Sequence, residues 1–145
     1  TQRLKKLLND ENYNNFNSYS TSLNYKTKVQ NSWKNLKKNL IELKKKRKTI
    51  VAYGASAKSG TISKCADIGS NLIDFYIDDS PSKQGMYTPI YHIPILSRAQ
   101  GFKKIIDYIL ILAVNYADII MKKESNFKKQ GGKFIIPRGE RIQII

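Results

Sequence analysis

The 145 residues carry 26 Lys/Arg against 11 Asp/Glu, a formal charge of +15, and only one cysteine, Cys65. Such a length builds one domain with a real core rather than two. No apolar run reaches the length of a membrane span, and one cysteine excludes an internal disulfide or a Cys-rich zinc site. The start, Thr1-Gln2-Arg3-Leu4, has no secretory pattern, so a cytoplasmic location is expected, and a chain opening on Thr reads as cut from something longer.

The charge is uneven: residues 1–49 contribute +10 and residues 50–145 contribute +5. A basic surface attracts nucleic acid or anionic lipid through long-range, salt-sensitive forces. Lysines spread along a helix more often solvate one of its faces. Neither membrane nor nucleic acid is therefore expected as a partner, and a basic interaction module stays as an alternative.

Residues 1–24, rich in Asn, Ser and Tyr without a sustained period, read as an irregular polar segment or a loosely attached helix. Residues 25–48 read as an amphipathic connector helix. Val29, Trp33, Leu36, Leu40 and Leu43 step by four and three along one stripe, with lysines on the other faces. From residue 49 strands and helices alternate: strand 49–53, helix 60–68, strand 72–77, a turn-rich loop 79–85 and a short extended piece 93–95. A brief helix capped by Ser97, strand 108–112, helix 116–130 and strand 133–136, ended by Pro137, complete the pattern. This order predicts an α/β fold. It is a Rossmann-like, open, mostly parallel sheet with helices on both faces over residues 49–145, preceded by the long helix.

In such sheets ligands bind beyond the carboxyl ends of the strands. The first strand breaks there into Gly54-Ala55-Ser56-Ala57-Lys58-Ser59-Gly60, a small-residue turn opening a helix whose first N–H groups are free to meet an anion. The glycines match neither the G-x-G-x-x-G fingerprint nor the G-x-x-x-x-G-K-[ST] loop. Lys58 reads as a phosphate contact or as a solvated lysine set against the helix dipole. Asp78 and Asp79 end the second strand, where a carboxylate either meets ribose hydroxyls or caps the turn before Pro81. His92, the sole histidine, lacks a positioned carboxylate partner and reads as structural. Asn115 follows a buried strand, either reaching the crevice or satisfying its own loop. Cys65 reads as a small core residue.

Four segments, in order, carry a resemblance. Val51-Ala52-Tyr53-Gly54-Ala55-Ser56-Ala57-Lys58 resembles V-x-G-Y-G-A-x-A-K. Residues 77–95, with Asp78, Pro81, Lys83-Gln84-Gly85, Pro89 and His92-Ile93-Pro94-Ile95, resemble D-x-x-P-x-K-Q-G-x-x-x-P-G-T-H-I-P-I. Asn115 with Asp118-Ile119-Ile120 is similar to W-N-x-x-x-E-I, and Gly131 to Pro137 is similar to G-G-x-F-I-x-P. These are the blocks of the C-terminal domain of sugar C-methyltransferases. The resemblance implies a substrate-side domain that helps to hold a nucleoside-diphosphate sugar while S-adenosylmethionine and zinc sit in a preceding part of the enzyme. No cofactor is expected in these residues, and the preceding methyltransferase domain is the implied protein partner.

Carried over position by position, the implied substrate-side residues are Gly54, Ala55, Ser56, Lys58, Asp78, Lys83, Tyr87, His92 and Asn115. Two departures stand out: Ile90-Tyr91 occupies the usual Gly-Thr, and Ala113-Val114 the usual Pro-Trp. The fragment alone is expected to be inactive. A stand-alone nucleotide-binding module is the other alternative.

Overall fold

The computed structural model describes residues 1–138 and 141–145. Helix α1 (Gln2–Tyr13) and the 27-residue α2 (Tyr19–Lys45) lead into β1 (Ile50–Tyr53), α3 (Ala57–Ala66), β2 (Tyr76–Ile77), β3 (Ile95–Leu96) and α4 (Arg98–Gly101). Next come β4 (Tyr108–Ile111), a 3-10 turn (Val114–Tyr116), α5 (Ala117–Lys123), α6 (Ser125–Lys129), β5 (Lys133–Arg138) and β6 (Arg141–Ile144).

Among the described residues six strands form one sheet in the order β3-β2-β1-β4-β5-β6. All neighbours are parallel except β5 and β6. The register sets Tyr53 beside Ile77 on one side and Ile111 on the other, so the carboxyl ends of β1, β2 and β4 meet at one rim. A sheet covered on both faces requires apolar residues at consecutive positions, which explains the unbroken runs Ile50–Tyr53 and Ile109–Leu112. Their alternation divides the core. Ile50, Ala52, Tyr76, Leu110 and Ile135 pack with Leu36, Leu40, Ile62 and Ala66 of α2 and α3. Val51, Tyr53, Ile77, Ile109, Phe134 and Ile136 pack with Ala117, Ile120 and Phe127 on the opposite face.

The stripe expected along the connector helix does this packing. Leu36 and Leu40 are fully buried, and Trp33 and Leu43 lie against the same core. Lysines beside the stripe pair with loop carboxylates, Lys37 with Asp67 and Lys44 with Asp74, while Lys48 just beyond the helix pairs with Asp107. Asp74 and Asp107 also accept the Ile50 and Thr49 amides at the head of β1, at 2.9 and 2.8 Å. The Thr49 amide, aided by Lys48, holds the Asp107 carboxyl below its ordinary range.

Several expectations need correction. For residues 1–24 the second of the two readings holds, a loosely attached helix in place of an irregular segment: Leu4, Leu7 and Leu8 give α1 an apolar stripe, and the Ser18 side chain caps α2 by accepting the Thr21 amide at 3.1 Å. α3 begins at Ala57 rather than residue 60, because Ser56 caps it through the Ser59 amide. The extended piece at 93–95 becomes strand only at Ile95, since Pro94 has no N–H and offers the sheet only its carbonyl, to the Tyr76 amide. The helix expected over 116–130 breaks at Glu124, where φ −99° and ψ 29° depart from helical values. The last strand passes through Pro137 to Arg138, and β6 pairs antiparallel with it. Cys65 is exposed, not core.

Candidate functional site at the strand ends

The turn after β1 is shaped by close approach. Gly54 has φ +94°, and a Cβ there would lie 2.7 Å from the Ala113 Cβ, so the β1 and β4 ends touch through the missing side chain. Its amide donates to the Ile77 carbonyl at 2.8 Å. One residue on, the Ala55 amide donates to the Asp78 carboxylate at 2.6 Å. That carboxylate also accepts the Ser80 amide at 2.9 Å and lies 3.4 Å from the Lys83 ammonium. Asp78 thus ties the β1 turn to the β2 loop with its oxygens already engaged. Of the two readings of this residue, the observed hydrogen bonds are those of a loop clasp.

Two hollows flank the first turn of α3. The larger, about 300 Å³, lies between α3 and the segment 83–95. Ala55, Ser56, Ser59 and Ser63 line one side, and Lys83, Tyr87 and Tyr91 are on the other. Inside it the Ser63 and Tyr76 hydroxyls are 2.8 Å apart, and burial pushes the Tyr76 hydroxyl above its ordinary value. The smaller, about 190 Å³, is lined by Ser56, Lys58, Ala113, Val114, Asn115 and Tyr116. Between them the amides of Ala57 and Lys58 open the helix with no intrahelical acceptor. Lys58 is exposed and has no carboxylate partner among the described residues.

The sequence-derived candidates therefore divide. Ala55, Ser56, Lys83 and Tyr87 line the larger hollow, and Ser56, Lys58 and Asn115 line the smaller. Gly54 and Asp78 line neither hollow and hold the adjoining turn in place. His92 is exposed at φ +49° and lines neither hollow. Two residues earlier, Ile90 has φ +73°. This is the position where the resemblance has glycine, and a β-branched side chain in the left-handed region is strained. Ile90→Gly is expected to raise stability by about 1 kcal/mol, the relief of strain exceeding the added freedom of the unfolded chain. A rise in urea midpoint with unchanged slope checks it.

Sequence reasoning missed a polar cluster on the other side of β1. The Tyr53 hydroxyl donates to Asp79 at 3.0 Å and lies 3.3 Å from Glu124. Arg98 grips Glu124 with two bonds of 2.7 and 2.8 Å, and Lys123 pairs with Asp79. Burial, and then the two carboxylates, push the Tyr53 hydroxyl far above the ordinary tyrosine value, while the bond to Glu124 raises Arg98. The partners lie 26 and 71 residues apart, beyond any local pattern. Ser56, Ser59 and Ser63 are different: their spacing of three and four, one helix face, was legible and unread. No group of three or more His, Cys, Asp or Glu among the described residues is placed to hold a metal ion, so nothing in this arrangement fits zinc. None of the described helices is long and apolar enough to cross a membrane.

A 3-2-1-4-5 parallel order with a glycine turn after the first strand and a crevice at the rim defines an α/β domain of Rossmann type. Residues 1–138 match the family described as C-methyltransferase C-terminal domain, and the chain belongs to that family. It is 39% identical over 90 residues to C-methyltransferase NovU of Streptomyces niveus, a match covering 62% of this chain. That match spans about a fifth of the relative's length, 21%. A solved structure, UDP-D-quinovosamine 4-dehydrogenase from Vibrio fischeri, aligns with TM-score 0.45 and 16% identity over 68% of this chain and 93% of that one.

Proposed function

We propose that this domain is the substrate-side part of an S-adenosylmethionine-dependent C-methyltransferase and holds a nucleoside-diphosphate sugar, in which a deoxysugar accepts the methyl group. The observation that carries the reading is the cationic, small-residue start of α3 lying between two hollows at the strand ends. Two free amides and the Lys58 ammonium suit a diphosphate. The hydroxyls of Ser59, Ser63 and Tyr76 and the rings of Tyr87 and Tyr91 suit the attached polar ring, with hydrogen bonds on one side and apolar faces on the other.

The chemistry of methyl transfer belongs to the preceding part of such an enzyme, where the methyl donor and zinc are held. The residues of this chain bind and orient. Holding the nucleotide end fixes the acceptor carbon relative to a donor carried elsewhere, which lowers the entropic part of the barrier. The Asp78 oxygens already accept the Ala55 and Ser80 amides, so a ribose hydroxyl meeting this carboxylate would share it with the loops it ties together.

Titration of the chain with thymidine and guanosine diphosphate sugars is expected to move the amide resonances of residues 54–58 and 113–116. Lys58→Ala is expected to weaken binding about tenfold, the loss of one charge-assisted contact of about 1.4 kcal/mol. Unmoved resonances at millimolar ligand would sink the proposal.

A further inference from the structure

Tyr91 lines the larger hollow on the side facing the serines of α3, and three separate features fix where it stands. Its neighbours Ile90 and His92 both lie in the left-handed region, at φ +73° and +49°. Such a backbone costs free energy and persists only where the surroundings impose it. The turn that carries them is closed by Thr88 and Ile93: the Thr88 amide donates to the Ile93 carbonyl at 2.9 Å, and the Ile93 amide to the Thr88 hydroxyl at 3.0 Å. The Tyr91 ring rests on Gly69, where a Cβ would come within 3.0 Å of the ring's Cδ1, so a larger residue there would push the ring away. Finally, the Tyr91 hydroxyl donates at 2.9 Å to Asp67, the residue that ends α3 and does not line the hollow. Asp67 is paired in turn with Lys37 of α2, and Lys37, then Tyr91, holds its carboxyl below the ordinary range. Lys37 follows Leu36, which is fully buried, so this tie starts from a fixed point of the connector helix.

We infer that Asp67 and Lys37 are positioning residues for the larger hollow: they hold the Tyr91 ring as a fixed wall for the ring of the bound ligand, so the connector helix sets part of the shape of the binding site. An ion pair with side chains 34 and 70% exposed adds little to stability, because water screens it. Its effect is on the freedom of a hydrogen-bonded tyrosine, and a wall ordered before the ligand arrives does not have to be ordered on binding. The inference rests on the reading that the α3 rim holds a nucleoside-diphosphate sugar.

The test titrates the chain with the thymidine and guanosine diphosphate sugars and, in parallel, with inorganic diphosphate, which has no ring for Tyr91 to meet. Tyr91→Phe removes the hydroxyl, and Asp67→Gly removes the carboxylate at a left-handed position that glycine adopts freely. Each is expected to weaken nucleotide-sugar binding about threefold, and the double variant no more than either alone, because both cut the same tie. Lys37→Glu is expected to match them by repelling Asp67, and Lys37→Arg to bind as the unaltered chain does. Inorganic diphosphate should bind every variant alike, which shows that rim and fold are intact. Losses that add in the double variant, losses shared by inorganic diphosphate, or nucleotide-sugar affinities unchanged throughout would overturn the inference and leave the rim reading standing. Failure of the unaltered chain to bind any nucleotide sugar would remove both.

Discussion

Asp78→Ala is expected to lower the stability of the domain by about 3 kcal/mol, because charge-assisted hydrogen bonds are lost and buried donors are left without an acceptor. The side chain is only 9% exposed. It receives the Ala55 and Ser80 amides and faces Lys83. Water cannot readily replace it beneath the turn. Asp78→Asn is expected to cost nearly as much, since one amide oxygen cannot serve both loops while the new NH2 group faces their donors. Urea unfolding gives the energy, and the Ala55 amide proton, released from a short bond to a carboxylate, is expected to move upfield. Loss of ligand binding without loss of stability would instead make Asp78 a substrate contact.

The cluster behind Tyr53 yields an asymmetric expectation. Glu124 is 2% exposed, whereas its partner Arg98 is 48% exposed. Arg98→Met leaves a buried carboxylate with little beyond the Tyr53 hydroxyl, and is expected to cost about 3 kcal/mol. Glu124→Gln keeps an acceptor for Tyr53 and lets the arginine turn to water, at about 1 kcal/mol. Replacing both with apolar side chains is expected to be milder than Arg98→Met alone, because no orphan charge remains. Thermal unfolding of the three variants decides it, and equal losses for the two single changes would refute the account.

The sheet was legible because a parallel strand covered on both faces must be a run of apolar residues, and Ile50–Tyr53 and Tyr108–Leu112 are such runs. The stripe of α2 was legible for the same reason at a different period. Its first half and α1 were legible only as one of two readings, since a stripe of three leucines among Asn and Lys buries nothing against the described residues to make its meaning plain. The rim was half legible. Turn chemistry and resemblance pointed to Ser56, Lys58 and Asn115, which do share a hollow. Yet no local rule says that Asp78 folds back onto an amide 23 residues earlier, or that Glu124, beside the weak helix formers Ser125 and Asn126, is held by Arg98 and Tyr53. Those outcomes follow from tertiary contacts that a reading by spacing does not contain.

The 27 residues of α2 extend about 40 Å, with only the C-terminal half seated on the sheet. Because that seat is anchored by Leu36 and Leu40, the remainder works as a phasing rod. Each residue added or removed between residues 19 and 31 would swing α1 by about 100° around the rod's axis and shift it by about 1.5 Å. Changes of length in this half of α2 therefore act on where α1 lies, and leave the rim loops and the seat at Leu36 and Leu40 as they are.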